Sequence, residues 1–119
     1  MAVGDAVNIS NVEELVAPAT VTRGNIYLIG ATKYGVAMQG GASGALLPFI
    51  TRGGVEVRKN TGVSSAIALN GKVYYRAGDN TVSGDATGNT LIGRNIGPAT
   101  VDASTSAIVE LDTLPPTLT

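Results

Sequence analysis

The chain of 119 residues contains no histidine and no cysteine. Without these residues the usual zinc sites cannot form, and neither can the Ser-His-Asp or Cys-His arrangements that activate a nucleophile. Carboxylates could still act as acids or bases. However, the adjacent Glu13 and Glu14 point to different sides of any strand or helix, and Asp79 and Asp85 lie in turn sequence, where Asp is favoured for backbone reasons. The residues therefore predict a protein that is not an enzyme.

Charge and long apolar runs are also scarce. Charged residues make up 14% of the chain and the formal net charge is −1, so the basic surface that binds nucleic acid is missing. No apolar run reaches the roughly 18 residues of a membrane helix. The N-terminus has neither a basic region nor a hydrophobic signal core. We therefore expect no nucleic-acid partner, no membrane partner and no secretion signal.

Glycine, in contrast, is abundant, with 16 residues, and it separates short apolar runs in the pattern of a β-meander. This pattern predicts one all-β domain, a small barrel built on a few strands. Arg52-Gly53-Gly54 is interpreted as a turn. Pro48 makes the run at 46–50 an edge strand or a bulge, because proline cannot donate to a ladder. The firmest predicted strands are a hairpin at 26–38 and runs at 55–58, 72–76 and 107–111.

Two smaller patterns concern metal binding and turn geometry. The segment from Asp79 to Asp85 resembles the first half of a calcium loop, but the acid required at the twelfth position is Thr90 here, so no metal or other cofactor is expected. Residues 87–90 predict a turn with positive φ, which Gly88 adopts freely and Asn89 tolerates.

Several short motifs occur in a recognisable order along the chain. They are Ala17-Pro18, Val21-Thr22-Arg23-Gly24, Gly35-Val36-Ala37, Gly54-Val55-Glu56-Val57, the run from Gly71 to Tyr75, and the run from Ala86 to Gly93. With these motifs the chain resembles the phage capsid cement proteins, also called head decoration proteins, from about residue 17 to residue 111. The run from Ala86 to Gly93 is the most specific of them. Arg94-Asn95-Ile96 departs from the small apolar residue and acid that family members usually have there.

The resemblance implies a small β-barrel or β-tulip-like domain on the outer surface of an icosahedral phage head. It implies a homotrimer at three-fold or quasi-three-fold positions that binds the major capsid protein and clamps adjacent capsomers. Synthesis would take place in the host cytoplasm. The alternative is a carbohydrate- or host-surface-binding module displayed on the virion, which the small number of aromatic residues disfavours.

The two ends lie outside the motifs, so the predicted organisation is an N-terminal arm at 1–16, a β domain at 17–111 and an extended C-terminal tail at 112–119. The arm is either an edge strand that closes the core or an extended segment that docks on a neighbour. The tail should have polyproline character. Both ends are expected to be poorly ordered alone and to become ordered on the capsid. The predicted capsid or subunit contacts are Val7, Ile9, Val12, Leu15, Val16, Leu114, Pro115 and Leu118.

Overall fold

The structure is a computed structural model that describes residues 3, 4, 6–29 and 33–111, with the backbone path alone for residues 6–10. In these ranges the chain forms eight strands and no helix. The strands are β1 (Ala6–Val16), β2 (Ile26–Ile29), β3 (Lys33–Ala37), β4 (Leu46–Arg58), β5 (Lys72–Arg76), β6 (Thr81–Ser83), β7 (Thr90–Asn95) and β8 (Ser106–Leu111). The predicted all-β class is confirmed, and the predicted strands at 55–58, 72–76 and 107–111 lie within β4, β5 and β8.

The sheet is built around β4. β1 pairs antiparallel with residues 46–55 of β4, whereas β3 pairs with Phe49 and Ile50, and β8 pairs with residues 53–58. Because the β1 ladder overlaps both of the others, β1 lies along one edge of β4, and β3 and β8 follow one another along the opposite edge. β2 continues the sheet beyond β3, and β7, β5 and β6 continue it beyond β8.

Beyond β8 in the sheet, strands β7, β5 and β6 curl back and nearly close a barrel. A bridge joins Lys59, just after β4, to Val82 of β6, and the backbone N–H of Asn60 donates to the carbonyl of Val82 at 2.9 Å. The side chain of Asn80 closes a second gap. Its Oδ1 accepts from the N–H of Ile26 at 2.7 Å and its Nδ2 donates to the carbonyl of Ile26 at 2.8 Å. A side chain thus replaces the missing strand partner at the start of β2.

Two apolar clusters lie on opposite faces of β4. The barrel core contains the buried residues Ile26, Val36, Ile50, Val55, Val57, Ile67, Val73, Val82, Ile92, Ala107, Val109 and Leu111. The second cluster contains Ala17, Val21, Ala37, Leu47 and Phe49. Ile50 and Val55 both face the barrel although they are an odd number of residues apart, so the alternation of β4 slips once between them. Gly53, with φ of +94°, lies at this slip.

The interpretation of Arg52-Gly53-Gly54 as a turn is wrong, because β4 runs through it without reversing. The positive φ of Gly53 produces a bulge, and the ladders with β1 and β8 continue on either side. The edge-strand interpretation is wrong for Phe49 and Ile50, which pair with β1 on one side and β3 on the other. The register with β1 shifts directly after the run, between Ile50 and Arg52. Pro48 lies just beyond the β3 ladder, where its carbonyl accepts the N–H of Met38 at 3.1 Å.

The N-terminal segment forms an edge strand: β1, of 11 residues, lies along β4. The hairpin at 26–38 is confirmed, with Ile26 opposite Val36 and Ile29 opposite Lys33. Residues 60–70 form a loop across the end of the barrel, where Ile67 is 1% exposed and fills the core. Gly88 has the predicted positive φ, of +72°. The tail at 112–119 lies outside the described residues.

Candidate functional site

The adjacent acids of β1 face opposite sides of the strand and serve separate purposes. Lys33 Nζ donates to both carboxylate oxygens of Glu13, at 2.9 and 3.0 Å, and the hydroxyl of Thr51 donates to one of them. The hydrogen bonds from Thr51 and Lys33 hold the pKa of Glu13 below its ordinary value. Glu14 is exposed to solvent. This pair therefore has no shared acid–base geometry.

The carboxylate of Asp79 is likewise engaged by protein donors. It accepts from the hydroxyl of Thr81 at 2.6 Å, from Asn60 Nδ2 at 2.8 Å and from Arg76 Nε at 3.4 Å. Desolvation raises the pKa of Asp79, but the hydrogen bonds from Thr81 and Asn60 and the charge of Arg76 outweigh it and leave the pKa lowered. Asp85 accepts the backbone N–H of Thr87 at 3.0 Å. Within the described ranges no three His, Cys, Asp or Glu side chains are grouped as a metal site would require.

The aromatic rings largely contact one another. Tyr27 packs edge-on against the buried Phe49, with 6.3 Å between ring centroids. Tyr34 packs edge-on against Tyr75 at 5.5 Å. Burial raises the pKa of the Tyr75 hydroxyl, and the neighbouring Tyr34 adds to the shift. Four of the five aromatic rings are thus paired with one another, although only Phe49 is fully buried, and the pairing leaves few free faces for stacking on a sugar.

An apolar strip lies on the β1–β4 ladder, on the same face as Ile50 but exposed to solvent, and we call Val12, Val16 and Leu46 the β1 strip. Their exposed fractions are 49%, 60% and 60%. Val16 and Leu46 are directly opposite one another in the ladder, so their side chains lie on the same face, and Val12 shares that face by alternation. The outer edge of β1 pairs with no strand in the described part of the chain. This side of the molecule offers both apolar side chains and a strand edge.

The other predicted contact residues are placed differently. Leu15 points to the opposite face of β1 and packs against the second cluster, so it supports the strand from inside. The structure gives the backbone alone at Val7 and Ile9, which lie in β1. The remaining three, Leu114, Pro115 and Leu118, lie outside the described residues. Leu46 was missed because the apolar run at 46–50 gives no sign of which side chains face outward.

Three further apolar side chains were also missed, and we call Val63, Leu69 and Val101 the loop platform. Their exposed fractions are 91%, 67% and 65%. All three lie in two loops, at 60–70 and 97–105, at the end of the barrel. Each is a single apolar residue beside turn-forming residues, and this isolation is the signal that could have indicated exposure.

Hydrogen bonds join these two loops along their length. Asp102 accepts the backbone N–H of Ala66 at 2.9 Å and, more weakly, that of Ser64 at 3.4 Å. Thr100 bonds Ile67 twice: its hydroxyl accepts the N–H of Ile67 at 2.9 Å, and its own N–H donates to the Ile67 carbonyl at 2.9 Å. The carboxylate of Asp102 is thus used to order backbone, and the two loops form one structural unit.

The buried side chain of Lys59 donates hydrogen bonds to both of these loops. Lys59 is 3% exposed, and its Nζ donates to the carbonyl of Asn60 at 2.7 Å, the hydroxyl of Ser65 at 2.9 Å and the carbonyl of Asp102 at 3.1 Å. Desolvation lowers the pKa of Lys59, and the charge of Asp102 opposes the shift. Because burying a charge is costly unless it is hydrogen-bonded, these contacts to both loops are what make this position possible.

A basic pair adjoins the platform. Lys72 of β5 and Arg94 of β7 are opposite one another in the ladder, and with Asn70 and Gly93 they line a shallow pocket. Arg94 Nε lies 3.8 Å from a carboxylate oxygen of Glu110, a loose contact between two half-exposed side chains. Arg94 stands where the sequence departs from the cement-protein pattern, and in the sheet it lies between Lys72 of β5 and Glu110 of β8.

The described residues combine an all-β fold with exposed apolar side chains on β1, on β4 and on two loops. A family model described as phage cement protein matches residues 3–111. The chain belongs to the phage cement protein family. The match includes β1, which the sequence motifs beginning at residue 17 had left out. Searches of curated proteins and of solved structures each found no match. Within the described ranges no helix has the length and apolar character that crossing a membrane requires.

Proposed function

We propose that this cement protein binds the outer surface of a phage head and stabilises the contacts between capsomers through the major capsid protein. Membership of the family indicates a capsid-associated structural role. The single observation that carries the proposal is the family match over residues 3–111, which spans every strand of the structure. The exposed apolar residues of β1, β4 and the two loops support it.

We further propose that the protein acts as a homotrimer at three-fold or quasi-three-fold positions, and that the ends of the chain contribute to its contacts. The β1 strip and the unpaired edge of β1 support this assignment, because apolar side chains and an open strand edge both favour association. Val7 and Ile9 in β1, and Leu114, Pro115 and Leu118 in the tail, extend the proposed contacts.

Weak contacts are enough for this role. A protein that binds the assembled shell and not its separate subunits stabilises the shell by mass action. At a free concentration of about 100 times Kd, each site contributes roughly 2.7 kcal/mol. Trimer formation makes each attachment multivalent, so no single contact has to be strong. Apolar contacts should dominate, because the net charge is only −1.

The test is reconstitution. Heads that lack the protein are prepared, the purified protein is added back, and DNA release is followed on heating. We expect release at a higher temperature when the protein is bound, with little loss of the effect in half-molar salt, because screening chiefly weakens exposed charge pairs. Identical release curves at saturating occupancy would remove the cement role and favour a displayed binding module.

Two matched variants test whether the β1 strip is needed for the protection against DNA release. Val16→Glu introduces a charge into the β1 strip, and it should weaken the protection against heating. Thr87→Glu adds the same charge to an exposed turn and should leave the protection unchanged. Equal protection by both variants would remove the β1 strip from the proposed contacts.

A further inference from the structure

We propose that the loop platform and the adjoining Lys72–Arg94 pair form the surface that docks on the capsid, and that its partner is a capsid-protein loop with apolar side chains beside a carboxylate. This inference rests on the proposed function and deepens it, because it assigns the capsid contact to a specific end of the barrel. The β1 strip is then left for contacts between copies of the cement protein.

The platform differs from ordinary scattered exposure. Single exposed apolar residues are normal on protein surfaces. Here Val63, Leu69 and Val101 are each at least 65% exposed, and they lie in two loops that hydrogen bonds make into one unit. The barrel supports that unit with a buried ammonium group, which costs free energy to desolvate.

The loops are also ordered before any partner arrives. Ser64 and Asn70 have positive φ angles of 65° and 57°, and such conformations persist only where the surroundings impose them. Asn95, which is fully buried, donates to the carbonyls of Ala68 and Pro98 at 3.2 and 3.0 Å and so fixes both loops near their roots. A surface ordered in advance loses less conformational entropy on binding.

The charged residues beside the loop platform indicate the chemistry of the partner that docks on it. Lys72 and Arg94 lie side by side next to the platform, and Glu110, opposite Arg94 on β8, partly offsets the charge of Arg94. The carboxylate of Asp102 is already bonded to backbone N–H groups. A contact on the symmetry axis of an oligomer would bring the basic pairs of its copies together, and like charges across an interface are unfavourable. A partner that carries a carboxylate meets no such penalty.

The position of the platform leaves room for both kinds of contact. Lys59, which holds the platform, directly follows the C-terminal end of β4, whereas Leu46 of the β1 strip begins that strand. The two apolar surfaces therefore lie at opposite ends of a strand of 13 residues. A trimer contact at one end does not block a capsid contact at the other.

Photo-crosslinking tests the assignment directly. Because the chain has no cysteine, Val63→Cys, Val16→Cys and the control Ala86→Cys each carry a single thiol for a benzophenone maleimide label. Each labelled protein is bound to heads that lack the native protein, irradiated and analysed by mass spectrometry. We expect label at residue 63 to crosslink to the major capsid protein, label at residue 16 to a second copy, and label at residue 86 to neither.

The outcomes separate this inference from the proposed function. If the unlabelled wild-type protein does not bind heads at all, the proposed function fails. If it binds, but label at residue 63 reaches only a second copy or nothing, the assignment of the platform is overturned. Retained melting temperatures for all three variants will show that they are folded.

A charge variant tests the chemistry of the partner. Lys72→Gln and Arg76→Gln each remove one positive charge from β5, at its two opposite ends. We expect the first to weaken binding to heads by about fivefold at low salt and the second to leave binding unchanged. The difference should shrink in half-molar salt. Equal affinities for the two variants would contradict the proposed carboxylate.

Discussion

The two faces of β4 carry clusters of different construction. Among the described residues the barrel core has twelve buried members, and the sheet curls around it until β6 meets the end of β4. The second cluster has five buried members and is bounded by β1, whose outer edge pairs with no described strand. The barrel thus nearly closes on itself, whereas the β1 side ends in an open edge. We infer that the barrel supplies most of the stability and that the β1 side is adapted for association.

A matched pair of leucines provides the strongest test of this difference. Leu111 is 1% exposed in the barrel core and lies opposite Gly53 and Gly93, which have no side chains to fill a cavity. Leu47, which is 5% exposed, lies in the smaller second cluster beside Gly41. We expect Leu111→Ala to reduce the free energy of unfolding by about 3–5 kcal/mol and Leu47→Ala by about 2–3 kcal/mol. Urea denaturation of both variants measures this, and a reversed order would contradict the comparison.

The second prediction concerns the closure of the barrel. Asn80→Ala leaves the N–H of Ile26, which is 1% exposed, without its side-chain partner, and leaves the Ile26 carbonyl only the Tyr75 hydroxyl, at 3.4 Å. We expect a loss of about 1–3 kcal/mol in the free energy of unfolding. Asn80→Gly removes the same bonds but suits the φ of 54°, so it should be less destabilising than Ala and still less stable than wild type. A glycine variant as stable as wild type would show that these hydrogen bonds contribute little.

The third prediction tests a turn on the barrel side. Gly88 has φ of +72°, Gly78 has no such positive φ, and neither would bring an added Cβ within 4 Å of another atom. Steric contact is therefore matched, and only backbone conformation differs. We expect Gly88→Val to destabilise by about 1–3 kcal/mol and Gly78→Val by about 0.5 kcal/mol or less. Melting temperatures of the two variants that agree within a degree would show that the positive φ carries no penalty.

The smallest expected effect concerns acid and the β1 side. The pKa of Glu13 is lowered by Thr51 and Lys33, so the ionised Glu13 carboxylate adds to the free energy of unfolding. This stabilisation is fully present above the unfolded pKa of about 4.3 and is lost as the pH falls through the folded pKa. Because the Glu13 and Lys33 side chains are each 39% exposed, the contribution should be below about 1 kcal/mol. Glu13→Gln should be less stable than wild type at pH 7, and the difference should shrink as the pH falls below about 4. A difference that does not depend on pH would refute this linkage.

The features that the sequence predicted well are local. The hairpin at 26–38 and the strand Lys72–Arg76 follow from apolar runs bounded by turn residues, and the structure contains both. Arg52-Gly53-Gly54 was misassigned because two adjacent glycines are compatible with either a turn or a bulge. The choice between these is made by β1 and β8, whose pairing with β4 is not visible in local sequence.

The β1 strip and the loop platform depend on long-range contacts more than the hairpin and β5 do. Lys59 bonds Asp102, which is 43 residues away, and Asn80 bonds Ile26, which is 54 residues away. No short pattern predicts such pairs, so the sequence could not reveal that residues 60–70 and 97–105 form one ordered unit. Val12 and Val16 were predicted as contact residues and are exposed. Leu15, predicted alongside them, faces inward because side chains alternate along a strand.

The most direct measurement is electron cryo-microscopy of intact phage heads, compared with heads that lack this protein. The account predicts additional density on the outer surface of the capsid at three-fold or quasi-three-fold positions. The density should accommodate the barrel, with the loop platform toward the capsid protein. Absence of such density from the shell, or density of this protein only at another part of the virion, would contradict the cement function.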